Sequence, residues 1–428
     1  MNNKLTRQQK EAVALLTMGT FLEYFDVLLY IHMAVLLNDL FFPQTDPLTA
    51  QLFTATAFCS TYILRPIGGF VIGRIGDSIG RKPTIMITTF VMAISCLVMA
   101  GLPTYTEIGI TASVVIIVCR MLQGFSSMGE IMGAQIYLTE ILKPPARSVA
   151  TGILVSAEAI GGFFALVVAS FVLSMGMNWR YAFLFGAFIA GIGLVARTRL
   201  RETPEFVDYK RRMAVKREKS CQEPEIIKNI INEERVDKKA IFAYAFTEFH
   251  YPVCFYVTYI YIGNLIKTSF GMSAEQVIYQ NLKVSAFVVI GALIVAYLVK
   301  KIHPIKIAIV MALFFFILLP FIPYWLNNAS GLFSLLCLQC LIMSFIISGM
   351  GTLEAVQCKH FPVSGRFTVI AATFGVASTS SKIIVAFSLI PLTHYLGHYG
   401  VWVVFIPAVI GYWWAINYFK KLALLCHI

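Results

Sequence analysis

The chain has 428 residues, of which 58% are hydrophobic and only 13% charged, with a formal net charge of +12. Soluble domains carry about 25% charged residues, so this depletion excludes an ordinary soluble domain of the same length. The positive balance would suit nucleic acid, but the bases fall in alternate loops, the bias that orients membrane proteins, and no nucleic-acid partner is expected.

Apolar runs of about 20 residues recur, as a hydrocarbon core of ~30 Å demands. They predict an all-α membrane protein of twelve transmembrane helices, at 14–37, 52–73, 84–102, 111–139, 149–174, 180–198, 240–265, 280–300, 306–324, 331–356, 367–392 and 400–419. The polar start of the chain has no small-residue cleavage site, so the first span is read as retained. Lys4, Arg7 and Lys10 precede that span, and Arg74, Arg81, Lys82, Lys143, Arg147, Lys300, Lys301, Lys306, Lys359, Arg366, Lys420 and Lys421 fall on the same side. The opposite loops carry Asp39, Asp46, Glu107 and Lys267. Both termini are therefore expected in the cytoplasm, with the protein multi-pass in a cell inner membrane.

Between the sixth and seventh spans, Arg199 to Lys238 is rich in Lys, Arg and Glu and reads as a solvated cytoplasmic linker with a surface helix. It divides the chain into six-helix bundles at 1–198 and 240–428, joined by 199–239, a plan typical of transporters that rock around a midplane site. No C-terminal soluble domain is expected after Lys421. The nine cysteines lie in predicted spans or on the cytoplasmic side, so no disulfide framework is expected. Cys337 and Cys340 form a C-x-x-C inside an apolar helix without histidine partners, which favours packing over metal binding.

The loop after the second span reads Gly73-Arg-Ile-Gly-Asp77-Ser-Ile-Gly80-Arg81-Lys82. Glycines permit a tight turn, Asp77 can accept from helix N-termini or bases, and Arg81 and Lys82 hold the cytoplasmic side. This loop resembles the signature of the major facilitator superfamily, with Ser78 in place of the usual first Arg. Further segments are Glu23-Tyr24-Phe25-Asp26, Arg65-Pro66-Ile-Gly68-Gly69, Arg120-Met-Leu-Gln123-Gly124 with Gly129-Glu130, and Arg201-Glu202-Thr203-Pro204. Together they resemble the metabolite:proton symporters, and within that branch the proline/betaine transporters. The resemblance covers most of 14–206. It implies a solute and protons as ligands, a lipid surrounding, the proton gradient rather than a cofactor as the energy source, and a monomer. Gly73, Asp77, Gly80, Arg81 and Lys82 would form a gating loop. Later in the chain, Lys300-Lys301-Ile302-His303-Pro304 and Lys359-His360-Phe361-Pro362 stand where the family usually places acids, so the second latch is expected to be lost.

An ionisable group in hydrocarbon costs ~2.5–3.5 kcal/mol on insertion scales, so each one is a functional candidate. Glu23 and Asp26 are i,i+3 neighbours with Tyr30 one turn on; they are read as proton carriers or as partners of a base. Arg120, Gln123, Ser127 and Glu130 form a polar stripe on the fourth span, with Ser126, Gly129 and Gly133 opposite. Glu130 joins the proton candidates, while Arg120 and Gln123 join the solute candidates or form a structural ion pair. Glu158 sits on a small-residue face, suited to an interhelical hydrogen bond. Lys382, one turn after Ser378, is a mid-membrane base. Glu248 shares a face with Tyr244, Tyr251, Phe255 and Tyr259, which could hold a quaternary ammonium by cation–π attraction or simply pack. Tyr30, Glu248, Tyr251 and Lys382 complete the solute candidates, whereas Glu354 is expected to be exposed at a helix end, and His250 and His360 are read as ordinary. With no P-loop, H-E-x-x-H or nucleophile constellation, an enzyme is not expected, and no metal site is expected. A proton-coupled symporter of a zwitterion such as proline or glycine betaine is the favoured reading; a di- or tricarboxylate symporter such as one for α-ketoglutarate or citrate, or a channel-like sensor on the same scaffold, is the alternative.

Overall fold

A computed structural model describes residues 5–43, 59–220, 237–347 and 353–426. Regular structure among them is entirely helical. The first group comprises α1 (Arg7–Phe41), α2 (Arg65–Ile79), α3 (Arg81–Gly101), α4 (Ile110–Ile141), α5 (Ala146–Ser174) and α6 (Arg180–Arg197). A charged helix α7 (Pro204–Ser220) follows. The second group holds α8 (Lys238–Phe255), α9 (Ala274–Leu298), α10 (Pro304–Leu318), α11 (Leu332–Ile347), α12 (Arg366–Leu396) and α13 (Gly400–Cys426). The expected spans at 52–73 and 331–356, and the outer-loop Asp46, lie partly or wholly outside the described residues, as does 221–236 of the polar segment.

Six stretches among the described residues are long and apolar enough to cross a membrane, and a seventh is a bent pair. One of the six, Arg366–Leu424, holds both α12 and α13, which meet at a 3-10 turn over Gly397–Tyr399. Large apolar side chains such as Phe188, Val195, Ile290, Ile317 and Ile390 point outward, as lipid-facing surfaces require and a soluble monomer would avoid.

Local sequence explains several departures from the expected boundaries. α1 begins at Arg7 rather than near 14 because Thr6 and Gln9 cap it reciprocally: the Gln9 amide oxygen accepts from the Thr6 N–H, and the Thr6 hydroxyl from the Gln9 N–H. α10 ends at Leu318 and resumes over Phe321–Asn327 after a 50° bend. Pro323 lacks an N–H, and its ring would crowd the carbonyl of Leu319 in a straight helix. That carbonyl instead accepts the indole N–H of Trp402 at 2.9 Å. α8 contains Pro252 and widens just beyond it into a π segment, Tyr256–Tyr261, before continuing as Ile262–Ser269. π segments of this kind are frequent at functional sites.

Candidate functional site

Two features join the first group to the second: a polar clasp at one end, and a cavity deeper in the interface. Asp77 ends α2 against the start of α12, accepting the N–H groups of Phe367 and Thr368 at 3.2 and 2.9 Å and the Thr368 hydroxyl at 2.7 Å. A helix N-terminus offers unpaired N–H groups and partial positive charge, so the carboxylate is a strong cap. Gly80 then turns the chain with φ 121°, and a side chain there would strike the Glu202 carboxylate. Glu202 accepts the N–H groups of Arg81 and Lys82 at 3.0 and 3.2 Å.

The Arg81 side chain is fully buried and donates to Asp77 at 3.1 Å, to Glu140 of α4 at 2.9 Å and to the Val363 carbonyl at 3.2 Å. Glu140 also accepts Arg366 of α12 at 3.0 Å and the Thr203 hydroxyl at 2.6 Å. One carboxylate thus gathers α3, α12 and the start of the charged segment. Glu205 of α7 accepts Arg366 at 2.9 Å and pairs with Lys359. Partial burial pushes the Glu205 carboxyl up, but its hydrogen bonds from Lys359 and Arg366 outweigh that and hold it below the usual range.

The cavity is narrow and is lined by residues of α1, α2, α4, α5, α8, α12 and the Glu354 turn. Arg65 of α2 and Lys382 of α12 both approach the Tyr62 ring, at 4.7 and 4.1 Å from its centroid, and Lys382 donates to Ser378 at 2.6 Å. Three acids share the space. Glu248 of α8 faces Glu354, and Glu158 of α5 faces Tyr24 of α1. Glu354 also accepts the side-chain amide of Gln135 on α4. Tyr251 and Phe255 add an aromatic wall with centroids 6.0 Å apart, and Tyr259 continues it 4.9 Å from Phe255. Such a space can bind a carboxylate at the bases and an ammonium at the acids and rings.

A second polar cluster is buried wholly inside the first group. The Arg120 guanidinium lies 4.1 Å over the Tyr30 ring and donates to Gln123 at 2.9 Å. Gln123 donates to the Cys96 sulfur at 3.2 Å, and Cys96 to Asp26 at 3.2 Å, so one hydrogen-bonded chain runs from α4 through α3 to α1. Glu130 pairs with Arg197 of α6 at 2.6 Å. Both carboxylate oxygens of Glu23, one of Asp26 and one of Glu130 have no hydrogen-bond partner among the described residues. Buried groups of this kind are rare, and inside a membrane each is a functional candidate. Glu130→Gln is expected to lower stability by about 1.5–3 kcal/mol, the usual worth of a hydrogen bond to a charged group. Unfolding in detergent measures it, and an unchanged midpoint would mean that Arg197 is satisfied elsewhere.

With this geometry in hand, comparison with known proteins settles the family. The Major Facilitator Superfamily pattern matches residues 13–386. The chain belongs to the Major Facilitator Superfamily. It is 35% identical over 204 residues to a provisionally named proline/betaine transporter of Staphylococcus haemolyticus (strain JCSC1435), covering 46% of this chain and 43% of that protein. The inner membrane metabolite transport protein YhjE of Escherichia coli (strain K12) is 37% identical over 196 residues, 44% of each chain. A citrate-proton symporter of Klebsiella pneumoniae is 30% identical over 212 residues, 48% of each. The chain thus matches less than half the length of each of these relatives. The solved structure of the proton:xylose symporter XylE with 6-bromo-6-deoxy-D-glucose superposes with a TM-score of 0.76 at 16% identity, over 97% of this chain and 95% of that one. The human organic anion transporter MFSD10 gives 0.70 at 14% identity, over 96% and 100%. These structures share the fold.

Within this superfamily fold the expected site residues separate. Glu248, Tyr251 and Lys382 line the interface cavity. Tyr30, Arg120 and Gln123 do not: they lie with Glu23, Asp26 and Glu130 in the interior of the first group, each at most 3% exposed. Gly73 packs against Thr368 of α12, and Lys82 donates to the Thr198 carbonyl at 3.0 Å. Three expectations need correction. Glu354 is only half-buried by area, yet it lines the cavity beside Glu248 and accepts from Gln135 instead of standing in solvent. The polar segment is not simply a solvated linker, because Glu202, Thr203, Glu205 and Phe206 build the clasp, the Phe206 ring lying 4.7 Å from the Arg81 guanidinium. Lys359 has not merely lost an acidic motif, since it pairs with Glu205. Arg65, Tyr62, Gln135, Glu140 and Arg197 were missed as site residues. Arg65 stood in a quoted motif, and Arg197 at the end of an apolar run was a visible signal.

Proposed function

We propose that this chain is a proton-coupled symporter of a small zwitterion of the proline or glycine betaine kind, working by alternating access. It is read as twelve spans in two halves, 1–198 and 240–428, joined by 199–239, with cytoplasmic termini and an inner-membrane location. The clasp then faces the cytoplasm and closes that side. The observation that carries the reading is the interface cavity, which holds two bases at Tyr62 together with three acids and an aromatic wall. A zwitterion needs both kinds of group within one solute length, and a site between halves is where rocking exposes it alternately. Glu23, Asp26 and Glu130 are the proton candidates of the first half. The pairing of Arg65 with Lys382 also suits a dicarboxylate, which the citrate-proton relative makes the second reading.

Uptake of labelled proline, glycine betaine and α-ketoglutarate into vesicles under an imposed proton gradient tests this. Accumulation of one of the first two is expected, abolished by a protonophore and reduced at least about tenfold in Lys382→Met, the loss of a charged contact. Downhill flux indifferent to pH would sink the symport reading. Accumulation preserved in a Glu23→Gln, Asp26→Asn double variant would remove those two groups from the proton path.

A further inference from the structure

Glu248 and Glu354 both belong to the second group of helices, and their carboxyl groups face one another in the cavity they line together with Glu158. An ionised carboxylate only accepts hydrogen bonds, so two neighbouring carboxyl groups can bond to each other only by sharing a proton. Oε2 of Glu354 also accepts from Gln135, which is buried on α4 in the first group. The pair is therefore tied across the interface. Gln135 stands five residues before the clasp carboxylate Glu140 on the same helix, ~7.5 Å along its axis. We propose that the Glu248–Glu354 pair is a proton-binding site that, through Gln135, holds the clasped side of the protein shut. The proposal deepens the alternating-access reading and rests on it.

The surroundings set the direction. From α5 the third acid, Glu158, faces the pair with its partner Tyr24; from α8 itself come Tyr244 and His250, and beyond the Glu354 turn Cys358. Besides His250, the bases lining the cavity among the described residues are Arg65 and Lys382, both drawn to the Tyr62 ring. Without a shared proton, two neighbouring carboxylates would stand in one cavity with a third acid, Glu158. Such charges repel strongly at low dielectric. Relief requires water or a displaced base, and both come with parting of the helices. The closed state thus binds the proton more tightly than the open one, and by linkage the proton favours closure. Solute bound at Lys382 would free or occupy that base, which places proton and solute in communication through one side chain.

Hydrogen–deuterium exchange on the full chain in nanodiscs, without solute, tests this over about pH 5 to 9, corrected for the intrinsic exchange rate. Protection of residues 353–368 is expected to fall about tenfold as pH rises, an ordinary size for coupling between sites. Glu354→Gln and Glu248→Gln keep one donor in the pair permanently, so both should stay protected across the range. Gln135→Ala should lose protection at the acid end. Infrared spectra should contain a protonated-carboxyl band at low pH that both glutamine variants diminish. A flat wild-type profile, glutamine variants that keep the wild-type pH dependence, or an unchanged carboxyl band would each overturn the proposal. Because no solute is used, failure here would leave the symport reading standing, and failure of uptake would leave this result standing.

Discussion

Glu140→Ala is expected to destabilise the protein by about 3–5 kcal/mol, the penalty for breaking a buried ion pair by removing one partner. Glu140 has no exposed side-chain surface and accepts two guanidinium groups, Arg81 and Arg366, which are 0% and 4% exposed. Alanine would leave two buried cations with one fewer counter-charge; Asp77 and Glu205 would remain but at their existing contacts. The loss falls on the closed arrangement, because Arg366 reaches Glu140 only while α12 lies against α4. On the alternating-access reading, the protein can also respond by opening. Unfolding in detergent and labelling of the buried Cys358 in a variant with no other cysteine should therefore both respond. Unchanged stability together with unchanged labelling would show that Glu140 is not the centre of the clasp. Glu140→Gln, which keeps the shape and loses the charge, should fall between wild type and alanine.

A second large effect is expected at Gly69. A Cβ there would sit 2.2 Å from the carbonyl oxygen of Ala371 on α12. That atom is backbone, so nothing flexible can yield, and α2 and α12 must part. Gly69→Val should abolish the closed state while leaving each group of helices folded, read as Cys358 labelling at the rate of the Glu140→Ala variant or faster. Gly124 supplies the control. Its Cβ would lie 1.6 Å from the Thr61 carbonyl oxygen, a contact within the first group. Gly124→Ala should therefore weaken folding itself, by about 1–3 kcal/mol for overpacking. If both variants unfold alike, the α2–α12 seam is part of the folded core and not of a movable interface.

The helices and the turn from Gly73 to Lys82 were legible in the sequence because both are local. Hydropathy over about 20 residues marks a span, and the Asp77 loop carries its turn residue, its cap and its bases within ten positions. The chemistry across helices was not. Glu130 pairs with Arg197, 67 residues away, and Asp77 caps a helix 290 residues on. Periodicity says that Arg120 and Glu130 share a face, but not that this face looks into the first group while Glu248 and Lys382 look into the interface. Glu354 was misjudged for the same reason. Its place near a helix end suggested water, whereas Gln135 from the other group covers it.

The wide turn in α8 bears on how one helix can furnish a whole wall. Eight residues of regular α-helix, at ~100° each, would rotate Tyr259 about 80° beyond Tyr251. The π segment from Tyr256 to Tyr261 unwinds part of that rotation just after Pro252. Tyr251 and Phe255 line the cavity beside Glu248, and both continue with Tyr259 along its extension toward α9. The defect acts as a phase correction: it keeps three successive rings in line with one space, so that a solute passing along the helix would meet a continuous aromatic track.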